Sequence, residues 1–392
     1  MKKLYLIYYL FLISLGCTDL ELDNKVTLFT KTFGGSFWDY GNSVAQNTDG
    51  GYIIVGETSS SENGSSDVWL IKTDSQGKEE WNQTFDGNDK DCGNYVQPTL
   101  DGGYIIAGST GSDYYYNVWL IKTDSQGKEE WNRTFGGSNY DFGNFVQQTI
   151  DGGYIITGEV SSSGNGSSDV LLIKTDSEGQ EEWIKTFGGG DYDRGYSIEQ
   201  TNDGGYIITG STRSYGNGSD DVWLIKTDSE GIEEWNQNFG GGYIDFGHSI
   251  QQTLDNGYVI TGYTQSYGNG SSDVWLIKTD FQGQEEWNRT FGGSYVDFGN
   301  SIQQTSDGGY IIAGSKGTDN YSDLWLIKTD YQGNEEWNKT FGGSDYDFGN
   351  AVQQTTDDGY IITGHTKSYG NGGYDAFLIK TDFQGNSKSY DN

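Results

Sequence analysis

Apolar positions along the chain fall in short runs separated by clusters of Gly, Asn, Asp and Ser. One representative stretch contains HSIQQT (248–253), GYVITGYT (257–264), DVWLIKTD (273–280) and EEWNRTF (285–291). The second and third runs are rich in β-branched and aromatic residues and are apolar on both faces, which is typical of strands packed between neighbouring sheets. The Gly and Asn residues between the runs tolerate the positive φ of tight turns. The pattern predicts four short β-strands and no helix.

The same four-strand pattern recurs along nearly the whole chain. Its clearest marker is Thr-Asp-x-x-Gly, which returns at intervals of about fifty residues. The seven markers begin at Thr73, Thr123, Thr175, Thr227, Thr279, Thr329 and Thr381. Four antiparallel strands in a unit of this size form one blade of a β-propeller. We therefore predict an all-β fold, with a single seven-bladed β-propeller over residues 25–386.

The two ends of the chain predict how the ring of blades closes. The seventh unit ends after its third strand, whereas KVTLFTKTF (25–33) precedes the first complete unit. Phe29 and Phe33 of this segment align with Trp337 and Phe341 of a fourth strand. We expect the N-terminal strand to complete the last blade, because closure removes two open sheet edges that would otherwise promote aggregation.

The repeated unit carries three motifs, GG-x-x-x-D-x-G, D-x-x-G-Y-x-x-x-G-x-T and D-x-F/W-x-x-K-x-D-x-x-G, as in residues 340–386. Over residues 25–386 these motifs resemble the SBBP-type repeat of seven-bladed β-propellers in prokaryotic surface and secreted proteins. The resemblance implies the propeller fold and a protein that works outside the cytoplasm. It implies little about function, because one fold hosts many functions.

The N-terminus has the pattern of a secretory signal. Residues 1–17 combine two lysines with a mostly apolar stretch that is too short for a membrane span, and they end at Cys17. This segment resembles a bacterial lipoprotein signal, which implies a lipid anchor on Cys17 and a location at the cell surface or outer envelope. The alternative is an ordinary secreted protein in which Cys17 has no such role. After the signal we expect a short acidic tether at residues 18–24, and a C-terminal tail at residues 387–392.

Net charge and residue types narrow the range of partners. The formal net charge of −34 repels phosphate backbones, so we expect no nucleic-acid partner. This charge is interpreted either as a source of solubility or as a calcium-dependent surface. The two cysteines and two histidines lack metal-binding spacing, so we predict no cofactor apart from possible calcium. We expect a monomer.

One aspartate recurs in the loop between each fourth strand and the first strand of the next blade, around one mouth of the predicted central channel. Its positions are Asp39, Asp91, Asp141, Asp193, Asp245, Asp297 and Asp347. Because it recurs in every blade, one interpretation is a carboxylate that holds the loop backbone. The other interpretation is calcium ligation by these aspartates together with loop carbonyl oxygens.

Aromatic residues in the variable loops are the candidates for ligand binding. Those around the mouth are Trp38, Tyr140, Tyr192, Tyr243, Tyr295 and Tyr346. Those further out are Tyr215, Tyr267 and Tyr369, with the run Tyr114, Tyr115 and Tyr116. Exposed rings among polar Asn and Ser bind flat sugar faces, so we predict a non-catalytic binding module for carbohydrate. In the alternatives, these tyrosines pack over their own loops, or the propeller is a scaffold for a cell-envelope protein.

An enzyme is the alternative from another functional class. A polysaccharide hydrolase needs two carboxylates at a defined separation. One column that varies between blades, at the end of the second strand, contains the catalytic candidates Glu57, Glu159 and His365. Glu57 and His365 belong to adjacent blades once the ring is closed. Because most other acids recur in every blade and no hydrolase motif is present, we favour a protein without a catalytic site.

Overall fold

A computed structural model describes residues 27–60, 65–87, 90–112, 114–161, 164 and 166–389. Within these ranges the strands form seven sheets of four antiparallel strands, and the sheets follow one another as the blades of a ring. The predicted seven-bladed β-propeller is therefore confirmed. The predicted signal (1–17) and tether (18–24) lie outside the described residues. Among the residues that are described, we find no helix with the length and apolar character that crossing a membrane requires.

The blades are numbered in chain order. Blade 1 contains β2 Asp39–Gln46, β3 Tyr52–Thr58, β4 Asp67–Thr73 and β5 Glu79–Phe85. Blade 2 contains β6 Lys90–Pro98, β7 Tyr104–Ser112, β8 Tyr115–Thr123 and β9 Glu129–Phe135. Blade 3 contains β10 Asp141–Gln148, β11 Tyr154–Val160, β12 Asp169–Thr175 and β13 Glu181–Phe187. Blade 4 contains β14 Asp193–Gln200, β15 Tyr206–Thr212, β16 Asp221–Thr227 and β17 Glu233–Phe239.

The remaining blades follow the same order. Blade 5 contains β18 Asp245–Gln252, β19 Tyr258–Thr264, β20 Asp273–Thr279 and β21 Glu285–Phe291. Blade 6 contains β22 Asp297–Gln304, β23 Tyr310–Gly317, β24 Ser322–Thr329 and β25 Glu335–Phe341. Blade 7 contains β26 Asp347–Gln354, β27 Tyr360–Thr366, β28 Asp375–Thr381 and, as its outer strand, β1 Phe29–Phe33.

The N-terminal strand completes blade 7 in the predicted register. Phe29 of β1 pairs with Lys380 of β28, as Trp337 of blade 6 pairs with Lys328. Because the register is the same, Phe29 takes the position that tryptophan occupies in the other six blades. The N-terminal strand therefore closes the ring without an open edge at blade 7.

Tryptophans on the outer strands join neighbouring blades. The ring of Trp81 in blade 1 lies 6.1 Å from the ring of Tyr104 in blade 2, measured between centroids. The equivalent pairs are Trp131–Tyr154, Trp183–Tyr206, Trp235–Tyr258, Trp287–Tyr310 and Trp337–Tyr360. Each tryptophan thus contributes to the apolar core between two sheets rather than to a site of its own.

Side-chain amides join the inner strands along the wall of the central channel. The Gln97 side-chain oxygen of blade 2 accepts a hydrogen bond from the backbone N–H of Gln148 in blade 3 at 2.6 Å. Five other junctions have the equivalent bond. Its backbone N–H donor and side-chain acceptor are, in turn, Gln200 and Gln147, Gln252 and Glu199, Gln304 and Gln251, Gln354 and Gln303, and Gln46 and Gln353. The junction of blades 1 and 2 lacks it, because the Ala45 side chain has no oxygen and Pro98 has no N–H.

Candidate functional site

Two sets of loops meet at one end of the channel and form what we call the mouth face. The first set joins each blade to the next and includes residues 34–38, 136–140, 188–192, 240–244, 292–296 and 342–346. The second set joins the second and third strands of a blade and is described in full at 213–220, 265–272, 318–321 and 367–374. The sets contact each other, since the backbone N–H of Asp245 donates to the carbonyl oxygen of Asp220 at 2.7 Å.

The recurring mouth aspartates are buried and hold these loops. In the blade 4 loop, Asp193 accepts hydrogen bonds from the Thr212 hydroxyl at 2.5 Å, the Ser214 hydroxyl at 2.6 Å and the Gly189 N–H at 2.8 Å. Asp39, Asp245 and Asp347 make the same three contacts in their own loops. Both carboxylate oxygens are therefore already used in these blades, and calcium ligation by this column stays a prediction.

A second column of acids, near the start of the third strand in every blade except blade 2, lies next to the first. A Cβ atom on Gly34 would lie 2.2 Å from an oxygen of Asp375 and 2.7 Å from an oxygen of Asp39. The two carboxylates thus flank one glycine at the junction of blades 7 and 1. Burial, and then the charge of Asp39, raises the pKa of Asp375 to about 6. In blade 2 the same position holds an amide, Asn117.

The junction of blades 1 and 2 gathers three carboxylates. Oxygens of Asp67, Asp86 and Asp91 all lie within 4.8 Å of one another. Asp86 stands where the other junctions have glycine, which brings the third acid into this group. Calcium takes six to eight oxygen ligands, so three carboxylates would supply only part of a coordination shell.

The aromatic side chains around the mouth are exposed. Trp38 has 59% of its surface exposed and Tyr243 has 67%. The other exposed members of this group are Tyr140, Tyr192, Tyr295 and Tyr346. Several contact neighbouring side chains: Tyr295 donates to a carboxylate oxygen of Asp319, and the ring of Tyr346 stacks on that of Phe348. The mouth face thus presents flat apolar rings beside polar groups.

Two guanidinium groups lie close to the ring of Tyr192. Arg194 and Arg213 each place their central carbon 5.3 Å from the centroid of the Tyr192 ring. Arg213 also forms an ion pair with the buried Asp220 at 2.7 Å. Neither arginine was among the residues that the sequence predicted for the site. Neither recurs at the equivalent position of another blade, and this departure from the repeat was the available signal in the sequence.

The outer tyrosines are held by the neighbouring junction loops. The hydroxyl groups of Tyr215, Tyr267 and Tyr369 donate to the carbonyl oxygens of Gly188, Gly240 and Gly342 at 3.0, 2.9 and 2.9 Å. The rings of Tyr215 and Tyr267 also pack on tryptophans of their own blades. Their hydroxyl groups are therefore engaged within the fold, although Tyr215 and Tyr267 as whole residues remain exposed.

The catalytic candidates lie in three different environments. Glu159 forms an ion pair with Arg194 at 2.8 Å, and burial raises its pKa. Burial also raises the pKa of Glu57, and hydrogen bonds from Cys92 and Ser66 oppose part of this rise.

His365 packs among aromatic rings. Its ring centroid lies 4.7 Å from Tyr40 and 5.1 Å from Tyr374, and burial lowers its pKa to about 4. Tyr40 also interacts with Glu57, whose charge adds to burial in raising the Tyr40 pKa to about 12. Tyr40 thus links the two candidates that the sequence placed in adjacent blades.

Comparison with known proteins identifies the architecture. No protein-family model and no curated protein matches the chain. Solved structures do match it. The WD40 domain of Neurospora crassa Pan2 has a TM-score of 0.56 at 9% identity, with 94% of this chain and 98% of that chain covered. Chaetomium thermophilum Sqt1 bound to the N-terminus of ribosomal protein L10 has a TM-score of 0.53 at 11% identity, with 90% and 98% covered.

A polysaccharide lyase of family PL25, an ulvan lyase bound to –[GlcA(1-4)Rha3S]–, also matches. Its TM-score is 0.54 at 11% identity, with 90% of this chain and 96% of that chain covered. Identities at this level show a shared fold and nothing finer. The chain is thus a β-propeller by structure, and membership of the SBBP-type family stays a prediction.

Proposed function

We propose that the protein is a non-catalytic binding module whose mouth face takes a carbohydrate. The observation that carries this proposal is the group of exposed rings, above all Trp38 and Tyr243, on one face of the ring of blades. Contiguous exposed apolar surface marks interaction sites on soluble proteins. Tyr and Trp rings offer a flat apolar surface with a polar edge, which matches a sugar ring with its hydroxyl groups.

The mouth loops are held in position before any ligand binds. The backbone N–H of Tyr243 donates to the Ser266 hydroxyl at 3.1 Å, and the same hydroxyl donates to Asp245 at 2.7 Å. A site held in this way loses less conformational entropy on binding than a flexible loop would lose. The buried aspartates therefore support the proposal as positioning residues.

Polar groups next to the rings can donate hydrogen bonds to sugar hydroxyls or accept hydrogen bonds from them. Arg213 and Arg194 both lie close to the Tyr192 ring, and the Asp319 carboxylate accepts a hydrogen bond from the Tyr295 hydroxyl. Sugar-binding sites combine an apolar platform with a few fixed polar groups. Both parts of such a site are present on the mouth face.

A glycan-array screen of the purified protein, with and without calcium, tests the proposal. We expect a defined family of saccharides to bind. An array without any hit in either condition would contradict carbohydrate binding and would favour a scaffold for an envelope protein. A hit that needs calcium would support the predicted role of the mouth aspartates.

We also propose that a lipid on Cys17 anchors the protein at the cell envelope, with the mouth face directed away from the membrane. The support is the position of Phe29, which pairs with Lys380 beside the turn at 382–386, at the end of blade 7 opposite the mouth. The ten residue-to-residue steps from Cys17 to Thr27 span at most about 35 Å. Palmitate labelling of the expressed protein, lost in Cys17→Ser, is the expected result, and an unlabelled wild-type protein would contradict the anchor.

A further inference from the structure

The central channel contains a cavity that is a second candidate site, separate from the aromatic rings of the mouth face. Its volume is about 490 Å³, and the inner strands of all seven blades line it. Most of the lining side chains are neutral amides and hydroxyls, such as Asn42, Gln97, Gln251 and Ser301. A cavity of this size accommodates a small organic molecule.

Glu199 breaks the neutral pattern of the lining. The equivalent residues in the other blades are Ala45, Gln97, Gln147, Gln251, Gln303 and Gln353. Among the lining residues, all of which belong to the described part of the chain, Glu199 is the single carboxylate. One of its oxygens accepts the hydrogen bond from the Gln252 N–H that glutamine accepts elsewhere. A glutamine would make the same bond, so the fold does not require the negative charge.

The described residues supply no cation to balance this charge, since no ion pair there joins Glu199 to Lys or Arg. Burial raises the pKa of Glu199 to about 7, against the hydrogen bond from Gln252. A buried, ionised carboxylate that has no ion-pair partner is stabilised when a cation binds next to it.

Two aromatic rings form an apolar wall in the same channel. Tyr95 and Phe145 stack with 3.6 Å between their ring centroids. The equivalent positions in the other blades hold Ser43, Ser197, Ser249, Ser301 and Ala351. The Glu199 charge contributes, after burial, to raising the pKa of the Tyr95 phenol. The carboxylate and the aromatic wall therefore belong to one electrostatic environment.

We propose that the central channel binds a small organic ammonium compound, with its cationic group at Glu199 and its carbon skeleton against Tyr95 and Phe145. One carboxylate balances one ammonium charge, and aromatic faces attract organic cations. Calcium sites usually combine several carboxylates with neutral oxygens, whereas Glu199 is the single carboxylate among the lining residues. The net charge of −34 also raises the local concentration of cations around the protein.

The pH dependence of binding follows from the groups near Glu199. Tyr95 and Tyr258 interact with its charge, and burial raises the pKa of both phenols above the ordinary value. His248 lines the channel in the next blade, and burial lowers its pKa. The raised pKa values keep both phenols neutral between pH 6 and 8, and the lowered pKa of His248 favours its neutral form, so Glu199 is the main group that titrates in this interval. Because an ionised carboxylate binds the cation, affinity should rise with pH over this interval.

Calorimetric titration of the purified protein with n-butylammonium tests the proposal, with n-butanol as the neutral comparison. Glu199→Gln removes the charge and keeps both the shape and the hydrogen-bond acceptor found in five other blades. Glu178→Gln is the matched control, because Glu178 is exposed on a turn and also replaces a glutamine of the repeat. Both variants change the net charge equally.

We expect wild-type protein to bind n-butylammonium and not n-butanol, Glu199→Gln to bind at least about tenfold more weakly, and Glu178→Gln to match wild type within about twofold. Equal affinity of wild type and Glu199→Gln would overturn the proposal, and so would wild-type protein that binds no n-butylammonium. A Glu199-dependent signal from calcium alone would overturn the assignment to an organic cation.

Discussion

The ring of Phe29 packs against the ring of Tyr52 with 5.9 Å between the centroids, although the two residues belong to the last and the first blade of the ring. The contact repeats the Trp–Tyr contact between other neighbouring blades, such as Trp81 with Tyr104 at 6.1 Å. Phe29 also covers Gly77, as Trp81 covers Gly127. The N-terminal strand therefore closes the ring by the same interaction that joins its other blades.

Phe29→Ala should destabilise the whole ring. The substitution leaves a cavity at a 4% exposed side chain, for which a loss of about 3–5 kcal/mol in the free energy of unfolding is expected. Phe29→Trp, which restores the residue of the other blades, should cost far less. Urea unfolding followed by tryptophan fluorescence measures both. If Phe29→Ala unfolds at the same urea concentration as wild type, the N-terminal strand does not hold the ring closed.

The junction of blades 1 and 2 is short of two hydrogen bonds. Ala45 provides no acceptor, and Pro98 provides neither an N–H nor a side-chain oxygen. In the next junction, the backbone N–H of Gln148 donates to the side-chain oxygen of Gln97. The side-chain oxygen of Gln148 in turn accepts a hydrogen bond from the backbone N–H of Leu100 at 2.9 Å. Both bonds are absent at the junction of blades 1 and 2, so fewer side-chain hydrogen bonds join its inner strands than at the next junction.

The double variant Ala45→Gln with Pro98→Gln should repair this junction. Each restored hydrogen bond is worth about 0.5–1.5 kcal/mol. Ala45→Gln alone should add nothing, because Pro98 has no N–H to offer it. The stabilisation of the pair should therefore exceed the sum of the single variants in a double-mutant cycle of unfolding free energies. Strict additivity would show that the two positions are independent.

Asp375 should make stability depend on pH in mildly acidic solution. Its pKa is raised in the fold, so the folded state holds the proton more tightly than the unfolded chain does. By linkage, the stabilising contribution of the protonated group is complete below the unfolded pKa of 3.8, is lost as pH rises through about 6, and changes no further at higher pH. Asp375→Asn should thus be more stable than wild type at pH 7, and the difference should shrink at pH 5.

Melting temperatures of the two proteins at both pH values test this expectation, because every other titrating group is common to them. Asn is tolerated at this position, as Asn117 shows in blade 2. The reverse change, Asn117→Asp, should lower the melting temperature at pH 7 more than at pH 5. A constant difference across the two pH values would mean that Asp375 is ionised normally.

The fold could be predicted from the sequence because each blade repeats the same signals. The seven Thr-Asp-x-x-Gly turns and the alignment of Phe29 with Trp337 were sufficient for blade number and closure. Both depend on interactions within one blade or between adjacent blades, and those interactions recur. Each blade is therefore an independent instance of the same strand pattern, and the agreement between blades supports the predicted fold.

The candidate site was less accessible to sequence reasoning. The sequence located the mouth aromatics, but their exposure depends on contacts between different loops. Tyr215, for example, bonds to Gly188 of the preceding loop, whereas Tyr243 stays largely exposed. The stacking of Arg194 and Arg213 on Tyr192 likewise needs the distances between three loop positions. Residues that depart from the repeat, such as these two arginines, are the signal in the sequence that indicates such positions.

Titration of the best array saccharide against wild type, Tyr243→Ala and Tyr331→Ala tests the central claim most directly. The two tyrosines are equally exposed, at 67% and 65%, but Tyr331 lies on the turn after β24, at the opposite end of the propeller. We expect Tyr243→Ala to weaken binding at least about tenfold and Tyr331→Ala to leave it unchanged. Equal effects of the two substitutions, or none from Tyr243→Ala, would contradict a carbohydrate site on the mouth face.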